Sequence, residues 1–246
     1  MQFFLEIHRD MPRQGPGDRE STGRAFGLIP ALPSVPDILD IGCGPGAQTL
    51  ALADLCEGQI TAVDMHRQYL VQLATEVGRR ALGSRIQVLK GDMENLEFPP
   101  GSFDLVWSEG AIYLMGFARG LRAWRPLLRA GGYLAVTEAT WFRSDAPGEI
   151  KRFWNESYPA MQDTAANLAA IRDAGYHVLG SFRLPDSAWW KDYFEPLESR
   201  LAAVERRYQH SKVAMDVLAL ERKEIEMFRK YSDYYGYAFY VMQIEP

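Results

Sequence analysis

The sequence predicts an α/β fold with a doubly wound, mostly parallel sheet of about seven strands, an N-terminal helical segment and an inserted helical lid. Between Asp37 and Glu138, short apolar runs alternate with amphipathic stretches, as in a parallel sheet covered by helices on both faces. The first apolar run leads directly into a glycine-rich turn, where folds of this class bind ligands. With 246 residues, 47% of them hydrophobic, the chain can bury one large core.

The elements of this first region follow from apolar periodicity and from the positions of glycines. Strands are predicted at residues 37–41, 59–64, 85–90, 103–107 and 132–138. The first helix is predicted to begin at Gly46, and the second to run from His66 to about Ala81, with its apolar residues at helical spacing. A third helix is predicted over 116–128, and the Gly131-Gly132 pair is expected to end it and to open the fifth strand.

The second half of the chain is predicted to be richer in helices. Helices are expected at about 147–158 and 163–174, followed by strands near 176–184 and at 235–244. Between these two strands lies an insertion at about 186–233, in which two stretches carry apolar residues at helical spacing. A helical pair of this length exceeds what a connection between two strands needs. This favours a role for the pair as a lid that covers a binding site.

Charge and cysteine content limit the classes of binding partner and the cellular compartment that we expect for this protein. The formal net charge is −5 and the isoelectric point is near 5.5, which favours neither a nucleic-acid backbone nor an anionic membrane as partner. Cys43 and Cys56 are the only cysteines, too few for a disulfide scaffold, and no metal-ligand spacing is present. The N-terminal stretch lacks the apolar core of a signal peptide. We therefore expect a cytoplasmic protein that binds a small molecule and no metal; the sequence leaves the oligomeric state open, with a homodimer as one option.

A glycine loop follows the first predicted strand, in the stretch Asp40-Ile-Gly-Cys-Gly-Pro-Gly-Ala47. Glycines permit a tight turn and a close approach of a ligand to the backbone, and the following helix offers free N–H groups. The pattern Gly42-x-Gly44-x-x-Ala47, with Asp64 20 residues after Gly44, also fits a dinucleotide-binding fingerprint. These residues alone leave an NAD(P)-dependent oxidoreductase as an alternative.

Asp40 argues against a dinucleotide, because a carboxylate there repels a pyrophosphate and attracts a ligand that carries an ammonium and a sulfonium. With Asp40, the loop resembles the first motif of the class I S-adenosylmethionine-dependent methyltransferases, a family with a Rossmann-like fold. Three later stretches resemble further motifs of that family in order: 62–65 at a strand end, 91–93 at the turn that holds adenine, and 103–110 in the fourth strand. The last strand is similar to the family's antiparallel seventh strand. Residues 12–17 and 107–113 resemble a subgroup that acts on small molecules.

The resemblance implies a role for each matching residue. Asp40 would orient the methionine ammonium through glycine-loop contacts or water, and the loop glycines would let the backbone pass beside the methionine part. Asp64 would accept hydrogen bonds from both ribose hydroxyls, and Asp92 would accept one from the adenine amino group. The residues next to the methyl group would be those at the end of the fourth strand, and an N-terminal loop would fold over the methionine carboxylate. The implied cofactor-binding residues are Asp40, Gly42, Gly44, Gly46, Asp64, Met65, Asp92, Met93, Ser108, Arg13 and Gln14.

Several of these residues also have a purely structural alternative. Asp40 and Asp92 could cap a helix or a turn, and Asp64 could be a surface turn residue. Met93 could serve packing alone. The loop with Arg13 and Gln14 could be a simple N-terminal tether.

Methyl transfer from a sulfonium is an in-line displacement, so the protein mainly aligns the nucleophile and excludes water. A general base is needed only for a protonated nucleophile. Glu109 and Tyr113, at and beyond the end of the fourth strand, are the candidate catalytic residues. Glu109 would be the general base or would bind a cationic acceptor, and a structural hydrogen bond is the alternative. Trp141, Trp189 and Tyr193 are the candidate substrate-binding residues, since aromatic side chains suit an apolar, aromatic or cationic acceptor. Packing alone is the alternative for these aromatics.

The sequence therefore predicts one methyltransferase domain over residues 1–246, with S-adenosylmethionine as cofactor and a small-molecule acceptor. This domain divides into an N-terminal cap (1–35), a cofactor-binding core (36–140) and a substrate-side half (141–246) that carries the helical insertion. The alternatives are the NAD(P)-dependent oxidoreductase and a catalytically silent module that only binds the cofactor.

Overall fold

A central sheet organises the part of the chain that the computed structural model describes, residues 2–244. Its strands run in the order β3-β2-β1-β4-β5-β8-β7, and the two-residue β6 pairs with the end of β5. The strands are β1 (Asp37–Ile41), β2 (Gln59–Asp64), β3 (Ile86–Lys90), β4 (Phe103–Ser108), β5 (Leu128–Trp141), β6 (Gln162–Asp163), β7 (Tyr176–Arg183) and β8 (Tyr235–Ile244). The predicted fold class, a doubly wound and mostly parallel sheet, is confirmed.

Helices cover both faces of this sheet. Neighbouring residues of β1 point into two separate apolar clusters, Ile38 into one and Leu39 into the other. No helix in the described residues has the length and apolar character needed to cross a membrane. The helices are α1 (Gln2–Ile7), α2 (Arg19–Phe26), α3 (Ala47–Leu55), α4 (Arg67–Arg79), α5 (Phe117–Trp124), α6 (Gly148–Ser157), α7 (Thr164–Asp173), α8 (Ser187–Trp189), α9 (Glu195–Tyr208) and α10 (Lys212–Tyr231), with a π-helical turn at Trp190–Phe194.

The fifth strand begins earlier than the sequence predicts. Helix α5 ends at Trp124 and a 3₁₀ turn, Arg125–Leu127, leads into β5 at Leu128. Pro126 lies in that turn and lacks the N–H that a continuing helix needs. Gly131, with φ +73°, lies inside β5, at the shift in the β4–β5 register, where Phe103 pairs with Leu128 and Leu105 with Tyr133. The prediction that Gly131-Gly132 ends the helix is therefore wrong, since the pair accommodates an irregular strand.

The last strand is antiparallel, as the resemblance implies. It pairs with β5 from Tyr133 opposite Gln243 to Trp141 opposite Tyr235, and with β7 on its other side. The helices α8–α10 therefore form an insertion between two strands that are neighbours in the sheet.

The N-terminal segment and the insertion are packed together. Helix α1 contacts both α9 and α10. The Arg200 guanidinium donates to the backbone carbonyl of Glu6 at 3.0 Å, and the Tyr208 hydroxyl donates to the Glu6 carboxylate at 2.8 Å. Arg207 also pairs with Glu6, at 3.0 Å. These two parts of the chain thus form one continuous cover, which we call the roof (residues 2–18 and α8–α10).

Gly46, the residue before α3, allows α4 to pack closely against the glycine loop. Its φ is +91°, and a Cβ atom there would lie 2.2 Å from Cδ1 of Leu73. We expect Gly46→Ala to lower the free energy of unfolding by about 2–3 kcal/mol, because both the left-handed backbone and the lack of space oppose a side chain. Denaturant unfolding measures the change.

Gly78→Ala, within α4, is the matched control for this substitution. A Cβ atom at Gly78 meets nothing within 4 Å, so the control should gain about 0.5–1 kcal/mol from helix propensity. Equal effects of the two substitutions would contradict the tight contact at Gly46.

Candidate active site

A cavity of about 340 Å³ opens at the carboxyl ends of β1, β2 and β4. This is the edge of an open α/β sheet where ligands bind, and the volume lies in the range of small-molecule sites. Ten of the residues predicted from the sequence line it: Arg13, Gln14, Gly42, Gly44, Asp64, Met65, Asp92, Met93, Glu109 and Tyr113. The other predicted residues, Asp40, Gly46, Ser108, Trp141, Trp189 and Tyr193, do not line it.

Asp64 fixes the glycine loop at the mouth of the cavity. Its Oδ2 atom accepts a hydrogen bond from the Gly44 N–H at 3.0 Å, and its Oδ1 atom accepts one from the His66 N–H at 2.7 Å. A carboxylate has about four acceptor positions, so each oxygen retains one for a ligand. The side chain therefore joins β2 to the loop and still presents acceptors to the cavity.

Gly42 lets the loops after β1 and β4 approach each other behind the cavity. Its φ is +72°, and a Cβ atom there would lie 2.4 Å from Cβ of Ala111. A side chain at this position would push the two loops apart, which would change the shape of the cavity.

Asp40 lies one step behind the cavity wall. It is fully buried and accepts hydrogen bonds from the Thr49 hydroxyl at 2.5 Å and from the Gln48 amide at 3.4 Å. Gln48 itself lines the cavity and also donates to the Cys43 carbonyl at 3.1 Å. Burial raises the pKa of Asp40 to about 7, although the Thr49 hydrogen bond opposes this rise. Asp40 can therefore act on a ligand only indirectly, through Gln48 and the glycine loop.

Two other predicted cofactor residues have structural roles. The Ser108 hydroxyl is buried and donates to the Ile41 carbonyl at 2.9 Å, which links β4 to β1. Gly46 packs against Leu73 instead of facing the cavity. The assignment of these two residues as ligand contacts is corrected accordingly.

Arg13 and Glu109 form a buried ion pair that closes the roof over the cavity. The guanidinium donates to Oε2 of Glu109 at 2.9 Å, and the two residues are 6% and 7% exposed. The Thr22 hydroxyl and the Trp107 indole N–H donate to Oε1 at 2.7 and 2.9 Å. Donors from three residues engage both oxygens of the Glu109 carboxylate. Glu109 therefore holds the N-terminal segment in place, and the structure does not support it as a free general base.

Gln14 presents an acceptor to the cavity from the N-terminal segment. Its amide nitrogen donates to the His8 carbonyl at 3.0 Å. Its Oε1 atom is buried and has no hydrogen-bond partner among the described residues. A buried acceptor without a partner is costly, and a donor on a bound ligand would remove that cost. The side chain lies over Gly44, with Cγ 3.5 Å from the position of a Cβ there.

The opposite side of the cavity is apolar and open. Met65 and Leu114 are 54% and 62% exposed although both are large apolar side chains, which suits a surface that a ligand covers. Met93 lines the same side, with its carbonyl fixed by the Trp124 indole N–H at 3.1 Å. Asp92 is exposed, and its Oδ1 atom caps the turn through the Glu94 N–H at 2.9 Å. Its second oxygen remains an acceptor for a ligand at this side.

The aromatic residues predicted to bind substrate are dispersed. Trp189 is 2% exposed and stacks on Phe228, with ring centroids 4.2 Å apart. Trp141 lines a separate recess that also contains Lys151 and Asp163. Tyr193 is buried against the ring of His8, at a centroid distance of 6.2 Å. Trp189 is therefore a core residue and Trp141 lies outside the cavity, because large aromatic side chains fill the space between β8 and α10.

The sequence analysis missed Gln48, Thr22 and Tyr69. Gln48 lies in the first turn of α3, directly after the glycine loop, so its position along the chain already indicated that it faces the ligand. Tyr69 lines the cavity from the first turn of α4. Thr22 reaches Glu109 across 87 residues of sequence, and no local pattern predicts such a contact.

The fold and the cavity define a class of protein, an α/β domain that binds a ligand at a glycine loop between β1 and α3. A family model described as a methyltransferase domain matches residues 38–132. A solved structure, a methyltransferase of Geobacter sulfurreducens in complex with S-adenosylhomocysteine, has the same fold, with a TM-score of 0.85, 17% identity and coverage of 100% of this chain and 98% of that one.

Two relatives are similar in sequence. A sterol 24-C-methyltransferase of Gibberella zeae is 26% identical over 68% of this chain and 46% of that protein. An O-methyltransferase of Penicillium expansum is 27% identical over 66% of this chain and 59% of that protein. The chain spans about half the length of the relatives that it matches. The match of residues 38–132 to the methyltransferase-domain model supports the predicted resemblance to the class I S-adenosylmethionine-dependent methyltransferases.

Proposed function

We propose that the protein transfers a methyl group from S-adenosylmethionine to a small-molecule acceptor at this cavity. The observation that carries the proposal is the placement of two ligand-directed acceptors, Asp64 and the unpartnered Gln14 Oε1 atom, in one cavity beside the glycine loop. Asp64 suits a diol such as ribose, and Gln14 suits an ammonium group. The family of residues 38–132 supports the same activity.

The residues that line the cavity fit the parts of S-adenosylmethionine. Asp64 would accept from the ribose hydroxyls, and Asp92 would accept from the adenine amino group, with Met93 against the ring. Gln14 would accept from the methionine ammonium, and Asp40 would add its charge from behind Gln48. When bound, S-adenosylmethionine supplies a methyl group on a positively charged sulfur.

The protein's contribution to the reaction is mainly positioning. Holding an acceptor in line with the methyl carbon can supply about 7–11 kcal/mol of barrier reduction. The roof, held by Arg13 and Glu109, shields one side of the cavity from water. Burial raises the pKa of Tyr113 to about 12, so its hydroxyl stays protonated and serves as a hydrogen-bond donor at the end of the cavity.

The two alternatives have less support. Asp40 and the turn at residues 91–93 disfavour an NAD(P)-dependent oxidoreductase, and the relatives are methyltransferases. A catalytically silent module would bind S-adenosylmethionine without producing S-adenosylhomocysteine from any acceptor. Turnover with a metabolite library separates that alternative from an enzyme.

The other features of the function extend this proposal. We propose the division into cap, core and substrate-side half, a cytoplasmic location and a homodimer. Fractionation of the producing cells and light scattering of the purified protein test the last two. The two relatives are named for methyl transfer to carbon and to oxygen, so they do not define the acceptor atom for this chain.

Asp64→Ala should weaken binding of S-adenosylhomocysteine by about 1–3 kcal/mol, or roughly five- to 150-fold, because two hydroxyl groups lose their acceptor. Isothermal titration calorimetry measures the change. Asp54→Ala is the control, because Asp54 pairs with Arg19 and Arg80 outside the cavity. This variant should bind S-adenosylhomocysteine as tightly as the wild type does. A wild-type protein that binds NAD in preference to S-adenosylmethionine would overturn the proposed function.

A further inference from the structure

We infer that the acceptor is an amine and that it binds as a cation among tyrosines and carboxylates next to the cavity. This inference rests on the proposed function and names its substrate class. The tyrosine–carboxylate cluster that carries it consists of Tyr113, Tyr158, Tyr193, Tyr237, Glu138, Glu221 and Glu224.

The cluster begins where the cavity ends. Tyr113 lines the cavity, and its ring packs edge to face against Tyr158 with the centroids 5.7 Å apart. Gly110 also lines the cavity, and a Cβ atom there would lie 3.5 Å from the Tyr237 ring. The rings of Tyr158 and Tyr237 are therefore directly behind the surface at which a methyl group would be presented.

Carboxylates from two separate elements surround the same tyrosines. Glu138 is in β5, and Glu221 and Glu224 are in α10. Burial, together with the negative charges of all three carboxylates, raises the pKa of Tyr113 to about 12. For Tyr193 and Tyr237, burial and charges from these carboxylates also raise the pKa well above the usual value. The fold thus brings the three carboxylates together around one set of hydroxyl groups.

Glu138 supplies an independent sign of a ligand. It is 2% exposed, and its Oε2 atom has no hydrogen-bond partner among the described residues. Tyr158 is the hydrogen-bonding side chain for this carboxyl group. Burying a polar atom without a partner is unfavourable, and an N–H donor on the acceptor would remove that penalty.

The charges favour a cation over a neutral or anionic acceptor. Burial raises the pKa of Glu138 and of Glu224 to about 8 each, and Glu221 adds to the rise at Glu224. A bound cation would restore the charged form of these groups, and tyrosine faces also attract cations. The basic neighbours on α10 are engaged elsewhere, because Arg222 pairs with Glu205 at 2.6 Å and Lys223 lies 5.6 Å from the Phe153 ring centroid.

Two other readings of the cluster fit less well. His8 lies 3.4 Å from Glu221, but it accounts for only one of the three carboxylates. A metal ion would need three or more closely arranged ligands, and the described residues contain no such group of His, Cys, Asp and Glu side chains. An amine satisfies both the carboxylates and the aromatic rings.

The reaction of an amine balances at this site. The ammonium form of the acceptor gives one proton to the Glu138 carboxylate, which leaves a lone pair on nitrogen. The nitrogen then forms a bond to the methyl carbon while the carbon–sulfur bond breaks, and the bonding pair stays on sulfur. The products are a methylammonium and S-adenosylhomocysteine, and the positive charge has moved from sulfur to nitrogen.

A pair of probes that differ mainly in charge tests the inference. Choline carries a trimethylammonium group, and 3,3-dimethylbutan-1-ol is its neutral analogue of the same shape. We expect choline to bind the S-adenosylhomocysteine complex at least about tenfold more tightly than the alcohol at about pH 8.5, where the carboxylates are charged. Titration calorimetry measures both affinities on the same protein.

Substitutions in the cluster locate the effect. Glu138→Gln and Glu224→Gln should each lower the preference for choline at least about threefold, since each removes one charge and keeps the shape. Glu226→Gln is the matched control, because Glu226 is exposed on the same helix and should leave the preference unchanged. Binding of S-adenosylhomocysteine by each variant shows that it is folded.

The preference for choline over 3,3-dimethylbutan-1-ol should be smaller at about pH 6.5 than at about pH 8.5, because protonated carboxyl groups no longer attract the cation. Choline itself stays charged throughout, so only the protein titrates. The titratable groups around Glu138 are Tyr113, Tyr158, Tyr237 and Tyr240, and those around Glu224 are Glu221, Tyr113, Tyr193, Tyr235 and Tyr237, with His8 beside Glu221.

Each result decides one of the two proposals. Absence of S-adenosylhomocysteine binding by the wild type would overturn the proposed function. Binding of S-adenosylhomocysteine without a preference for choline, or with a preference that Glu138→Gln and Glu224→Gln both leave intact, would overturn the amine inference and leave methyl transfer in place.

Discussion

Trp189→Ala is expected to lower the free energy of unfolding by about 3–5 kcal/mol, the range for removing a large aromatic side chain from a core. The ring is 2% exposed and stacks on Phe228, with an interplanar angle of 15°. Its other neighbours include Tyr237, at a centroid distance of 5.2 Å, and Phe194, at 5.6 Å. Removing it leaves a cavity between α8, α10 and β8 that these rigid rings cannot close.

Denaturant unfolding measures this loss, and two further variants make it specific. Trp189→Phe retains the face contact with Phe228 and should lose less than the alanine variant. Trp190→Ala should also lower the free energy of unfolding by less than Trp189→Ala does, because Trp190 is only half-buried. The Arg229 guanidinium carbon lies over its ring, 4.9 Å from the centroid. An alanine variant that unfolds like the wild type but transfers methyl groups poorly would return Trp189 to the acceptor site.

Glu109→Ala is expected to cost about 3–5 kcal/mol of unfolding free energy, because it leaves the buried Arg13 guanidinium without its partner. The Thr22 hydroxyl and the Trp107 indole N–H lose the same acceptor. These three donors come from the N-terminal segment, α2 and β4. The substitution should therefore also release the N-terminal segment, and limited proteolysis should cleave it faster than in the wild type.

Arg19→Ala is the matched control, since the Arg19–Asp54 pair also ties the N-terminal part to the core but is solvent-exposed. A surface pair of this kind contributes at most about 1 kcal/mol. Comparable losses of unfolding free energy in the two variants would show that burial does not make the Arg13–Glu109 pair more stabilising than the exposed pair. A Glu109→Ala variant that is as stable as the wild type but has lost activity would support Glu109 as a general base.

Most of the sheet could be predicted because its strands carry their own signals. β1, β2 and β8 lie at the predicted residues, since continuous apolar runs bounded by turn residues identify buried strands. β6 has only two residues and pairs with the end of β5, so it has no periodicity to read. The start of β5 depends on a 3₁₀ turn and a register shift, which arise from pairing with β4 and not from local sequence.

The candidate site divides in the same way. Asp64 and the glycines of the loop were predictable, because one β–α–β unit, formed by β1, α3 and β2, brings them together. The Arg13–Glu109 pair joins residues 96 positions apart, and only the tertiary fold creates it. The aromatic residues show the same limit, since residue type indicated candidates for acceptor binding but not that Trp189 packs in the core while Tyr113 faces the cavity.

The hydrogen bonds and the ion pair of Glu6 have a consequence for folding during synthesis. They join Glu6 to Arg200, Arg207 and Tyr208, between 194 and 202 residues later in the chain. A chain that leaves the ribosome from its N-terminus exposes α1 long before α9 exists, and closing so long a loop carries an entropic cost. The strands β1–β5 have all emerged by then. Helix α1 therefore precedes the sheet in the chain but is among the last elements to acquire its native contacts, and the glycine loop lacks its complete cover until α9 has emerged.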